Sequence, residues 1–308
     1  STNREVFLAF AKALKRCKDA SAAVTEIFLD NAAEITHAPE MAKKIMELPH
    51  LVSYQFNHYR SVPVVNGMEE AAVVTSAAGM ERLAREAAHV AESTMLARDL
   101  VNHPSMFMDP EQLAKECEAL AEELGIEVQI YDKKQAEEMN MGAFLAVGRG
   151  SAAEPRLIVL RYKGEPPVAL VGKGIMFDSG GYSLKSRMET MHGDMGGAAA
   201  VIGAIRAIAL EKLPVNVIAV VAACKNMISG DAYVPGDILF SMNGKKIEML
   251  NSDAEGRLTL ADALTYAIRK ENAGSIIDIA TLTGAAQGAV GVRSSAVFSN
   301  DEELYAEV

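Results

Sequence analysis

Apolar runs of strand length at 156–162, 167–171, 215–222 and 275–281 alternate with stretches of helical periodicity at 195–210 and 257–270. Strands that are apolar along their whole length must be covered on both faces, and the helices lying between them in sequence are what covers them. The alternation therefore predicts an α/β fold with a mostly parallel central sheet covered by helices. A turn at Lys163-Gly164-Glu165-Pro166 leads us to expect that the first two runs form a hairpin or lie side by side.

Ahead of this pattern, residues 1–78 mix helical stretches with short apolar runs and end in a strand-like segment at 70–75, a smaller N-terminal α/β unit. The segment 80–101 repeats apolar residues at intervals of three and four and reads as a long connecting helix. Asp109-Pro110 carries an N-cap and first-turn signature for a helix ending at Leu124 before Gly125, and a strand is expected at 126–131.

Thirty Lys and Arg against 41 Asp and Glu leave a net charge of -11, the wrong sign for a broad polyanion surface. Nucleic acid is not an expected partner. Cys17, Cys117 and Cys224 are scattered without CxxC spacing, so neither a disulfide framework nor a zinc knuckle is expected, and a reducing cytoplasm fits. The first twenty residues place charges inside their apolar stretch, unlike a signal peptide, and no run of about 18 apolar residues suggests a membrane span.

In open α/β sheets ligands bind beyond the carboxyl ends of the strands, so polar residues there come first. Three segments qualify: 173–185 with Lys173, Asp178 and Lys185; 191–194 with Asp194; and 251–257 with Asp253, Glu255 and Arg257. Four carboxylates gathered at one sheet edge would oppose folding by mutual repulsion. Two divalent cations balance them in charge, a pattern hydrolases use. In an extended stretch, Asp253 and Glu255 would share a face and reach the same ions. Arg257 and Lys185 could steady negative charge developing on a substrate carbonyl, and Arg257 could instead hold a small anion acting as a base. Lys173 could ligate only when neutral, a state that burial and adjacent cations favour. Taken alone, Asp253 and Glu255 would equally serve as the cap and first-turn acid of the following helix. His103 and His192 lack an HExxH pairing and are not taken as ligands, and the Gly148-Arg149-Gly150 segment precedes a strand and so is no dinucleotide loop.

The segments VGKGIMFDSGG, MHGDMGGAAA and NSDAEGRLTLADAL, with RDLVNHPS, VPGD and DIATLTGA in the same order, resemble the leucine aminopeptidase (cytosol aminopeptidase) family from about residue 80 to 308. Residues 1–78 resemble the later part of its N-terminal domain, so the expected division is a partial N-terminal α/β domain (1–78) and a metallopeptidase catalytic domain (79–308). The resemblance implies a zinc- or manganese-dependent enzyme that removes N-terminal, leucine-like residues from peptides. By it, Lys173, Asp178, Asp194 and Glu255 hold the tighter ion, while Asp178, Asp253 and Glu255 hold the more exchangeable one. Lys185 and Arg257 are then the catalytic pair, with a bicarbonate-like anion at Arg257. Met191, Asn251, Thr281 and Gly284 fall where the family lines its substrate site. A cytoplasmic homo-oligomer, a hexamer built of two trimers, is implied as well.

His192, Ser186 and Ser252 depart from the family's usual residues, but none stands at an implied ligand position. The family continues past the point matching Val308, and this chain opens on a helix, so we expect a polypeptide cut at both ends. The alternative reading is a non-catalytic assembly or interaction protein, or an inactive fragment, on the same fold.

Overall fold

The structure, a computed structural model, describes residues 3–30, 38–65, 67–163 and 167–308. The first unit comprises α1 (Asn3–Asp19), β1 (Val24–Phe28), α2 (Pro39–Ser53) and β2 (Glu70–Val74), with β1 and β2 paired in parallel. Alternation in β1 turns Thr25 and Ile27 inward, and Ile27 joins Leu14, Leu29, Ile45 and Leu48 in a core of their own. From there α3 (Met80–Asn102) runs from one core to the next. Its first turns put Met80, Leu83 and Ala87 into the N-terminal core, and its last turns put Leu96 and Leu100 against the main sheet.

The cap signature of the following helix, α4 (Pro110–Leu124), is realised. The Gln112 N–H donates to Asp109 Oδ1 at 2.9 Å, and Gly125 closes the helix at a φ of 64°. Then come β3 (Glu127–Tyr131), α5 (Lys133–Glu138), α6 (Gly142–Gly148), β4 (Arg156–Tyr162) and β5 (Val168–Asp178). A 3₁₀ turn at Met191–Gly193 leads into α7 (Gly196–Leu210), β6 (Val217–Asn226) and the small hairpin of β7 (Ile238–Phe240) and β8 (Lys246–Glu248). The chain finishes with α8 (Gly256–Lys270), β9 (Ser275–Ile279), α9 (Gly284–Val290) and α10 (Glu302–Glu307).

The main sheet has the order β3-β4-β6-β5-β9, with β5, β6 and β9 parallel and β4 antiparallel to both its neighbours. Alternate residues divide cleanly between its faces. Leu157, Val159, Val171 and Val220 pack with Phe144 of α6 and Leu258 and Tyr266 of α8. Ile158, Leu160 and Val221 pack with Leu113 of α4 and Ile202 and Ile205 of α7. Each fully buried Leu or Ile contributes roughly 1.5–3 kcal/mol.

The expected hairpin or side-by-side pairing of β4 and β5 does not occur, because β6 lies between them. β6 is buried on both faces and takes a strand on each edge, β4 antiparallel and β5 parallel. Two apolar strands near in sequence are thus separated by a third that needs both as neighbours. Of the turn read there, Gly164, Glu165 and Pro166 lie outside the described residues.

Asp262 of α8 ties the second face together. It is fully buried and accepts from the Phe144 N–H (2.9 Å) at the start of α6 and the Met242 N–H (2.8 Å) in the hairpin turn. Cys17, Cys117 and Cys224 are free thiols, and no described helix is long and apolar enough to cross a membrane.

Candidate active site

The carboxyl ends of β5 and β9 and the beginnings of α7 and α8 converge at one edge of the sheet, where the three acidic segments meet. Lys173 sits on β5 and shares, by alternation, the face of Val171 and Ile175. Asp178 lies five residues on, and strict alternation would aim it at the opposite face. A bulge at Met176, where the register with β6 shifts between Ile175 and Phe177, restarts the alternation and returns Asp178 to the side of Lys173. Two glycines with left-handed φ, 83° at Gly180 and 60° at Gly181, then fold the chain back so that Lys185 returns to Asp178.

The Lys173 ammonium, 2% exposed, lies 2.8 Å from Asp194 Oδ1 and 2.9 Å from Glu255 Oε1, and donates to the Thr281 carbonyl at 3.0 Å. The Thr281 hydroxyl donates to the same Asp194 oxygen at 2.8 Å. On the other flank Lys185 Nζ lies 2.8 Å from Asp178 Oδ2 and 2.5 Å from Asp253 Oδ1. Asp178, Asp253 and Glu255 each offer one oxygen within 4.8 Å of the others. At that separation two like charges repel by about 3 kcal/mol even at an effective dielectric of about 20.

The electrostatics register this crowding. Burial first, then the nearby Asp178, push the Glu255 carboxyl up to about 7, although Lys173 pulls it down. Burial also raises Asp194 against the pull of Lys173. Burial alone would lower Lys173 and Lys185, but their carboxylate partners overrule it and both are raised.

Two lysines leave the cluster short of positive charge and of donors. Asp194 Oδ2 and Glu255 Oε2 are buried with no hydrogen-bond partner among the described residues, a state that costs free energy unless a cation or donor meets them. Clustered carboxylate oxygens with one amine are a donor set that suits hard or borderline divalent ions, so the residues present fit the metals the sequence suggests.

Asp253 and Glu255 reach the cluster by a different route from the extended stretch expected. Residues 251–254 form a turn, with the Asp253 N–H on Asn251 Oδ1 (2.9 Å) and the Ala254 N–H on the Asn251 carbonyl (3.1 Å), and Glu255 already has helical φ and ψ at the head of α8. The turn shortens the path, which is why both acids still meet at one point. Arg257, two residues on, is exposed and makes no hydrogen bond or ion pair among the described residues. Met191 is half-buried in the 3₁₀ turn, while Asn251, Thr281 and Gly284 are exposed around the rim.

Several residues to which the sequence assigned no role, Ser252 among them, hold the cluster together. Ser252, fully buried, donates to the Gly180 carbonyl (2.7 Å) and accepts from the Ser183 N–H (2.7 Å), fastening the 180–185 loop to the 251–255 turn. Its carbonyl accepts from Tyr233 OH (2.8 Å) and from Asn226 Nδ2 (2.9 Å). Asn226 stands at the carboxyl end of β6, so the rule that singled out the acidic segments would have found it too.

Residues 95–308 match the family model described as cytosol aminopeptidase family, catalytic domain. The chain is 49% identical to a probable cytosol aminopeptidase of Clostridium perfringens, over 100% of this chain and 65% of that protein. It is 55% identical to one of Clostridium tetani, over 71% of this chain and 47% of that protein. Among solved structures it resembles the bottromycin maturation enzyme BotP in complex with Mn, with a TM-score of 0.88 and 35% identity over 99% of this chain and 66% of that one. The chain thus spans about two thirds or less of the length of these relatives.

Proposed function

The chain belongs to the cytosol aminopeptidase family, and from that premise we propose that the protein removes N-terminal residues, leucine-like ones by preference, from peptides by hydrolysis that depends on two divalent ions. Asp178, Asp194 and Glu255, with Lys173 once its ammonium has given up a proton, would hold the tighter ion, and Asp178, Asp253 and Glu255 would hold the more exchangeable one. Such ions supply Lewis acidity and a nucleophilic water at neutral pH. Zinc and manganese both suit the donor set, and a similar enzyme solved in complex with Mn supports the latter.

Lys185 keeps a fixed positive charge beside Asp178 and Asp253, where it offsets negative charge growing on the scissile carbonyl oxygen. Arg257, exposed and without an ionic partner among the described residues, would hold a bicarbonate-like anion, which could serve there as a base. Met191, Asn251, Thr281 and Gly284 line the approach of the peptide. In this function the protein acts in the cytoplasm, as a hexamer.

The observation that carries it is the meeting of three carboxylates within 4.8 Å beside two buried, unpartnered carboxylate oxygens. A non-catalytic assembly role needs no such arrangement. The test is to supply the protein with manganese or zinc and offer a leucyl dipeptide with its amino terminus free or acetylated. Release of leucine from the free form alone, and only with metal, is expected. No release from either by folded, metal-loaded protein would contradict the proposal.

A further inference from the structure

Asn226 is fully buried, and its side chain touches both halves of the acidic cluster at once. Its amide nitrogen donates to Asp178 Oδ1 at 2.8 Å and to the Ser252 carbonyl at 2.9 Å, residues that lie on separate segments of the chain. The two strands carrying Asn226 and Asp178 place these residues opposite one another in register. Both partners are acceptors, so only a group with two N–H donors in one plane serves, and a carboxamide supplies them without a buried charge. A hydroxyl has one proton to give, and a carboxylate has none. The remaining Asp178 contacts, the Gly180 N–H at 2.9 Å on Oδ1 and Lys185 on Oδ2, come from its own loop. Lys185 also spans Asp178 and Asp253, by ion pairs through a flexible side chain, whereas Asn226 ties the Asp178 carboxylate to the backbone of the turn bearing Asp253 and Glu255.

We infer that Asn226 is a positioning residue of the metal site, fixing the Asp178 carboxylate and its spacing from Asp253 and Glu255 through the two N–H groups of one amide. This inference rests on the two-ion reading proposed above. Partners of this kind, which hold a ligating carboxylate from behind, typically change metal affinity about 10–100-fold when removed.

The test is calorimetric titration of metal-free protein with manganese(II), with thermal unfolding of the same samples. Asn226→Ala removes the amide, and Asn226→Leu keeps most of its volume while removing both donors without adding a charge, so the second variant guards against loss of folding through the cavity left by the first. Asp262→Asn, whose carboxylate accepts from the Phe144 and Met242 N–H groups and from no residue of the cluster, is the control for destabilisation away from the cluster. Manganese affinity about 10–100-fold weaker in the Asn226 variants and unchanged in Asp262→Asn is expected. Wild-type affinity in folded Asn226→Leu, or an equal weakening in Asp262→Asn, would overturn the inference while leaving the two-ion reading intact. A folded wild-type chain that binds no manganese would overturn that reading and the inference with it.

Discussion

Glu255→Ala is expected to slow release of the N-terminal residue at least about a thousandfold, since the several kcal/mol that a metal centre supplies correspond to about three powers of ten in rate. Glu255 is 1% exposed, and it faces Lys173 on one side and Asp178 and Asp253 on the other, so its loss strikes both proposed ions. The metal-free fold should survive the change. Lys173 keeps Asp194 and the Thr281 carbonyl as partners, and one repulsive charge leaves the cluster. The combination of near-wild-type unfolding with lost turnover and lost metal separates a ligand from a structural acid. Full activity in the variant would remove Glu255 from the site.

Gly197→Ala is expected to destabilise the chain by about 3 kcal/mol or more, at the upper end of single substitutions. Here α7 crosses the sheet so closely that an added methyl would overlap the Ile279 carbonyl oxygen and come within 2.8 Å of the Lys173 nitrogen. Both obstacles are backbone, so no side chain can swing aside. The approach is matched from below, where a methyl on Gly172 would sit 2.6 Å from the Ala198 Cα. Relief requires α7 to lift from β5 and β9, which would also draw Asp194, just before the helix, away from Lys173. Gly230→Ala is the control: nothing lies within 4 Å of its added methyl, and about 0.5 kcal/mol or less is expected. Urea unfolding midpoints of the two variants decide the matter, and equal midpoints would show that the close approach is not limiting.

What the sequence disclosed follows from how locally each feature is encoded. The apolar run of β6 announces itself because burial on both faces excludes charge from most of its length, β5 does so up to Lys173, and α7 and α8 show through their periodicity. By contrast β9, at the sheet edge, is only half-buried at Ile276 and Ile277 and not the fully covered strand its run suggested. Asp109, Pro110 and Gly125 mark the ends of α4 by local chemistry alone. The order of the strands is not local. Nothing in 156–171 says that β6, some fifty residues on, will part β4 from β5. The acids were legible as residue types at strand ends, but the devices that aim them were not. The bulge at Met176 is a property of register between two strands, and the turn bearing Asp253 depends on an Asn251 side chain that reads equally well as a rim residue. Ser252 and Asn226 are uncharged, and only folding brings Ser252 against the Gly180 carbonyl and sets Asn226, far from the acidic segments in sequence, between Asp178 and the 251–255 turn.

The central claim is that the acids at this sheet edge meet in order to hold a pair of cations. Counting ions bound per chain by calorimetric titration of the metal-free protein with manganese or zinc tests it most directly. Saturation at two ions in the wild-type chain, with uptake lost in Glu255→Ala, is the predicted result. A folded wild-type chain that takes up neither metal, or binds it equally well without Glu255, would contradict it.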